Sequence, residues 1–256
     1  MRFLPKFGPR TGLKYVLLAQ LALAGLLITT DVIGSIQSPF REKLVLPTGP
    51  VSPGDQRREY RTDKPVLRLT EPGELALPDR FPARLTFTKS YIDGIGIVLL
   101  LTGAIEEGDA DRFERHLAGM NETPALVALH SPGGLVGEAQ LIGRQIREAN
   151  LVTGVTPGAS CVSSCPYILA GGLERLVSRR GIVGMHQHYY EQPRLIPVMF
   201  AVADIQVSQG ETMAFLIEMG VDPSLMIYSL KTPPEEIYAL VEDELAKTNI
   251  ATEIVE

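Results

Sequence analysis

Between Leu129 and Gln187 three short groups carry residue types suited to acyl-transfer chemistry. His130-Ser131-Pro132-Gly133-Gly134 follows an apolar run, Cys161-Val162-Ser163-Ser164-Cys165 precedes another, and Gly184-Met185-His186-Gln187 ends a third. A glycine turn, then a serine opening a helix, then a histidine is a workable order for a serine hydrolase. Glycine N–H groups can receive an oxyanion, the serine can attack, and the histidine can take its proton.

Each group also has a plainer reading. Ser163 can serve only as a helix cap, with Pro166 in the first turn, where a missing N–H costs little. The functional reading uses the same position, because the Ser164 N–H at a helix start can point at a developing negative charge. Ser160 and Ser164 are rival nucleophiles. Gly133-Gly134 lets the backbone approach a ligand closely, yet strand-to-helix turns of this kind are common. His188, two residues beyond His186, is the rival base on the same strand face. His130 reads as a hydrogen-bonded turn residue.

The elements that must position these residues follow from apolar periodicity. Gly94–Leu101 reads as a buried strand, 106–120 as an amphipathic helix, Ala125–Leu129 as a strand and 135–149 as a helix. Leu151–Val155 reads as a strand, Val162–Ala170 as a short helix, and Leu176-Val177 and Ile182–Met185 as short strands. Val198–Met219 reads as a long helix, Thr232–Glu236 as a helix start or turn, and Glu242–Lys247 as a last helix. Successive βα units imply an α/β fold with a mainly parallel sheet, in which ligands sit at the carboxyl ends of the strands.

The chain of 256 residues, 45% of them hydrophobic, suits one domain with appended segments. A net charge of −6 without a basic run beyond the N-terminus argues against a nucleic-acid partner. Arg2, Lys6, Arg10 and Lys14 precede an uncharged run, Tyr15 to Thr30, without an obvious small-x-small cleavage site. That pattern reads as a signal anchor or signal peptide over 1–36, the missing cleavage site favouring an uncleaved anchor, with everything after it extracytoplasmic. Residues 37–84, rich in Pro and Gly, read as a linker, and 85–256 as the α/β domain. Cys161 and Cys165 suit a disulfide in an oxidising compartment: one helical turn separates Cα atoms by about 6 Å. Two ligands cannot close a zinc site, so no metal is expected.

In combination the Ser-Pro-Gly-Gly turn, the Cys-x-Ser-x-Cys segment opening an apolar helix, and Gly-Met-His-Gln resemble the Clp protease/crotonase superfamily. The likeness is closest to the predicted periplasmic Clp-protease-like proteins of bacteria, and it spans about Leu85 to Thr252. The resemblance implies a ClpP/crotonase-like ββα spiral with Ser163 as nucleophile and His186 as general base. It also implies that Gly133, Gly134 and the Ser164 N–H line an oxyanion hole. Two positions depart from the pattern. His130 stands where Clp proteases usually carry asparagine. Aligning the last segment puts Ile237 near the family's catalytic aspartate, leaving Glu236, or Glu235 beside it, as the candidate acid.

The implied activity is an ATP-independent serine peptidase, without cofactor, acting on peptides or unfolded proteins. It would sit in the bacterial inner membrane through one pass, with its domain in the periplasm, and assemble as a homo-oligomer. An inactive Clp-like peptide-binding or assembly module of the envelope is the alternative. A crotonase-type acyl-CoA enzyme shares the fold, but export away from CoA counts against it. A Ser-Lys mechanism would need a lysine at the site, for which Lys231 and Lys89 are nominal candidates.

Overall fold

A computed structural model describes residues 9–35, 53–63, 75–188 and 198–256. Met1–Lys43 and Leu44–Glu256 form two separate compact units. The first holds one helix, α1 (Pro9–Ser35). Side chains are described only for its residues 13–26, which are exposed. Among the described residues no helix is long and apolar enough to cross a membrane. The N-terminal span expected from the sequence is therefore not found among the described residues.

The second unit is α/β with two sheets. The larger sheet is built around β3 (Gly96–Thr102), β4 (Leu126–His130), β5 (Thr153–Val155), β7 (Arg175–Ser178) and β10 (Glu253–Val255). Its order is β10-β7-β5-β4-β3-β2, all parallel except β2 (Thr86–Ile92), which forms a hairpin with β3. Helix α2 (Asp109–Ala118) follows β3, and α3 (Val136–Glu148) follows β4. They bury Phe113, Ala139, Ile142 and Ile146 against Leu99, Leu101, Val127 and Leu129, because their apolar residues recur at helical spacing while β3 and β4 are apolar up to their last residues, Thr102 and His130.

The smaller sheet has the order β1-β9-β8-β6. It comprises β1 (Arg57–Glu59), β6 (Ser160–Val162), β8 (Ile182–Met185) and β9 (Glu236–Ala239). β6 and β8 are parallel, while β9 runs antiparallel to both β8 and β1. Short helix α4 (Cys165–Ala170) follows β6, and α5 (Val198–Glu218), α6 (Leu225–Leu230) and α7 (Glu242–Lys247) complete the unit.

Three sequence expectations change. Val162–Ala170 is not one helix: Ser160–Val162 is strand, and the helix starts at Cys165. The Thr232–Glu236 turn leads into strand β9 rather than a helix, with Ile237 and Ala239 buried on one face and Glu236 and Tyr238 only partly so. The 37–84 stretch is not linker throughout, since residues 57–59 pair with β9 and Leu75 enters a small core with Val98 and Leu100.

One side chain ties α4 to its neighbours. Arg147 on α3 donates to the carbonyls of Ala170, Gly171, Gly172 and Met219 at 2.8–3.1 Å, satisfying groups that the ends of α4 and α5 leave open. Arg147→Leu removes every one of these donors. It should lower the unfolding free energy by about 2–4 kcal/mol, measured by chemical denaturation.

Candidate active site

Ser163 lies in the two-residue turn between β6 and α4, and His186 is the residue after β8. Because β6 and β8 are parallel neighbours, the two side chains emerge at the same end of the sheet. His186 Nε2 lies 2.7 Å from Ser163 Oγ, and its Nδ1 lies 2.8 Å from the main-chain oxygen of Pro234. A carbonyl only accepts, so Nδ1 carries the proton and Nε2 offers its lone pair to the Ser163 O–H. The serine is thus paired with a base in its reactive tautomer.

The turn is sharp. Ser163 has φ +63°, a left-handed conformation that costs a non-glycine residue about 1–3 kcal/mol. Several contacts hold it there. The Ser163 N–H donates to the Gly184 carbonyl at 3.0 Å. Cys161 and Cys165, one on each side, are joined in a disulfide with Cα atoms 5.1 Å apart, as the spacing led us to expect. Both cysteines are fully buried.

The glycine turn after β4 packs directly on this serine. A Cβ at Gly133 would lie 2.5 Å from Ser163 Cβ and 2.8 Å from the Ser164 nitrogen. At Gly134 it would overlap the Ile105 carbonyl. The three expected oxyanion donors are not equivalent. The Gly133 N–H is taken by Ser131 Oγ at 3.1 Å, so this residue supplies space and not a donor. The N–H groups of Gly134 and Ser164 have no partner among the described residues and are free to bind a developing oxyanion.

Glu236 does not take the place of the expected acid. Its carboxylate lies 3.6 Å from the Arg57 guanidinium on the neighbouring strand, because Glu236 opens β9 facing the exposed row of β1. Pro234, two residues earlier, supplies the orienting oxygen. The rigid Pro233-Pro234 pair fixes it, and the Ser229 hydroxyl bonds the His186 carbonyl at 2.6 Å. Sequence reasoning searched for a carboxylate, and a main-chain carbonyl leaves no residue-type signal.

The rivals are placed elsewhere. His188 pairs with the Tyr167 hydroxyl at 2.8 Å. Ser160 and Ser164 are both buried. Lys89 lies beside Glu122 on β2. The aromatic pair Tyr189-Tyr190 falls outside the described residues. Among the described residues no group of three or more His, Cys, Asp or Glu is placed to hold a metal ion.

Burial sets the electrostatics. It lowers the His186 pKa, an effect opposed by bonding to the backbone at Pro234 and Glu236. His130 is fully buried, its Nδ1 accepting the Ser160 N–H at 3.1 Å and its ring 4.7 Å from that of Phe81. Desolvation lowers its pKa to about 4.

No protein-family model and no curated protein matches the chain. Among solved structures it is similar to an asparagine-to-aspartate variant of ClpP1 from Listeria monocytogenes. The two share 17% identity over 62% of this chain and 91% of that one, with a TM-score of 0.47.

Two outcomes follow from this geometry. Glu236→Gln should change the reactivity of Ser163 toward a fluorophosphonate probe by less than about threefold, whereas Gly133→Ala should lower it by at least about a hundredfold. Stability should also fall as pH drops from 6.5 toward 4, since unfolded histidine binds the proton that buried His130 refuses. His130→Asn should remove on the order of 3 kcal/mol of that loss, measured by denaturation at pH 7 and pH 4.

Proposed function

We propose that this chain is a Clp-type serine peptidase, working without ATP or cofactor on peptides or unfolded segments. The observation that carries the reading is the 2.7 Å Ser163–His186 pair, its tautomer fixed by Pro234, beside two unpartnered N–H groups. Ser163 Oγ attacks a peptide carbonyl as its proton passes to His186 Nε2. The oxyanion is received by the N–H groups of Gly134 and Ser164. The Nε2–H then protonates the leaving amine, and water enters by the reverse proton path to free the acyl group.

Pro234 holds the imidazole as a carboxylate would, but brings a dipole where a carboxylate brings a full charge. The imidazolium formed during attack is stabilised less, so turnover slower than that of an aspartate-containing triad is expected. The same feature favours a second reading, a Clp-like module that binds peptides without turning them over.

Location in the inner membrane with the domain outside the cytoplasm is part of the proposal. It rests on the basic flank before Tyr15–Thr30 and on a buried disulfide suited to an oxidising compartment. Self-association is proposed as well, as the sequence resemblance to Clp proteases implies.

Fluorophosphonate labelling of the purified protein tests the central claim. Labelling is expected in the wild type, kept in Ser164→Ala, and lost in Ser163→Ala and His186→Ala. Its rate should rise with pH through an apparent pKa below 6.5, because the base must be neutral and burial holds His186 below its ordinary value. An unlabelled wild type, oxidised or mildly reduced, would favour the binding module.

A further inference from the structure

The described part of the proline-rich stretch before the α/β region reaches the dyad. Tyr60 follows β1, and its N–H donates to the Glu235 carbonyl at 2.9 Å, extending the β1–β9 pairing by one residue. Four segments therefore converge at one end of the smaller sheet. Ser163 follows β6, His186 follows β8, Pro234 precedes β9, and Tyr60 follows β1.

Tyr60 touches each working part of the site. Its ring lies 4.4 Å from the His186 ring, tilted by 53°. Its O–H donates to the Pro132 carbonyl at 2.6 Å, the peptide oxygen just before the glycine turn. Burial raises the pKa of this hydroxyl, and the Ser163 side chain opposes the shift. Base, nucleophile and oxyanion turn thus meet on one phenol.

We infer that Tyr60 is a positioning residue of this site, supplied by a segment that precedes the α/β repeat. The inference rests on the hydrolase reading. The two parts of the side chain do separable work. The ring covers one side of the imidazole, excluding water and keeping Nε2 unprotonated. The hydroxyl fixes the Pro132 peptide, and through it the plane in which the Gly134 N–H is presented. A tyrosine that merely filled space would be replaceable by phenylalanine without consequence. Here phenylalanine loses the bond to Pro132.

The test uses the full chain carrying Tyr60→Phe or Tyr60→Ala, with two readouts. One is the fluorophosphonate labelling rate against pH. The other is the His186 titration followed by NMR on histidine-labelled protein, which needs no activity. Among the described residues, His188 lies on the same segment and the Arg57–Glu236 pair on β1 and β9, and neither variant replaces them.

Tyr60→Phe should lower the plateau labelling rate about tenfold and leave the acid limb where it is. Tyr60→Ala should lower the plateau further and move both the limb and the His186 titration upward toward 6.5. Wild-type rate and limb in both variants, in a protein whose labelling depends on Ser163, would overturn the inference and leave the hydrolase reading standing. An unlabelled wild type would instead strike the hydrolase reading. An unmoved His186 titration in Tyr60→Ala would then overturn the role of the ring on its own.

Discussion

The site depends on a main-chain junction at Ser131, where the two sheets are stitched together. The Ser131 N–H donates to the Ser160 carbonyl at 2.8 Å, and its own carbonyl accepts the Val162 N–H at 3.1 Å. Its hydroxyl donates to the Gly103 carbonyl at 2.7 Å and accepts the Gly133 N–H. The glycine turn belongs to the end of β4 and the nucleophile to the end of β6, so the two sheets must meet in register for any shared chemistry. Main-chain bonds supply that register with little freedom, and the missing Cβ of Gly133 lets the surfaces close on Ser163.

The strain stored at Ser163 and the choice of orienting group bear on the same question of how reactive the serine is. A left-handed φ pushes the hydroxyl out of the turn toward His186, and the buried disulfide resists relaxation of the three residues between its ends. Against this, Pro234 contributes geometry without a net charge. The pairing of Ser163 with His186 is therefore set by geometry, with a dipole rather than a full charge behind the imidazole.

Most of the repeated βα frame was legible because its signals are local. The apolar runs at β3 and β4 and the helical spacing in α2 and α3 need nothing beyond their own residues. Ser163, His186 and the disulfide were legible as a constellation. Glu236 is not the orienting group because a main-chain oxygen, which carries no residue-type signal in the sequence, takes that place. β6, β9 and β1 were missed for a related reason. Each has only three or four residues, and each is held by pairing with a strand distant in sequence. Nothing in Arg57-Arg58-Glu59-Tyr60 announces a strand until β9 is beside it.

That last pairing has a consequence for the order in which the molecule is made. β1 leaves the ribosome early, yet β9, its strand partner among the described residues, emerges near the other end of the chain. Contacts so remote in sequence carry a large loop-closure cost and form late. Pro234 arrives with the same late segment. During synthesis, Ser163 and His186 can exist together before either the carbonyl that fixes the tautomer or the phenol that covers the ring is in place. Pairing of β1 with β9 is therefore the step that brings Pro234 and Tyr60 to Ser163 and His186.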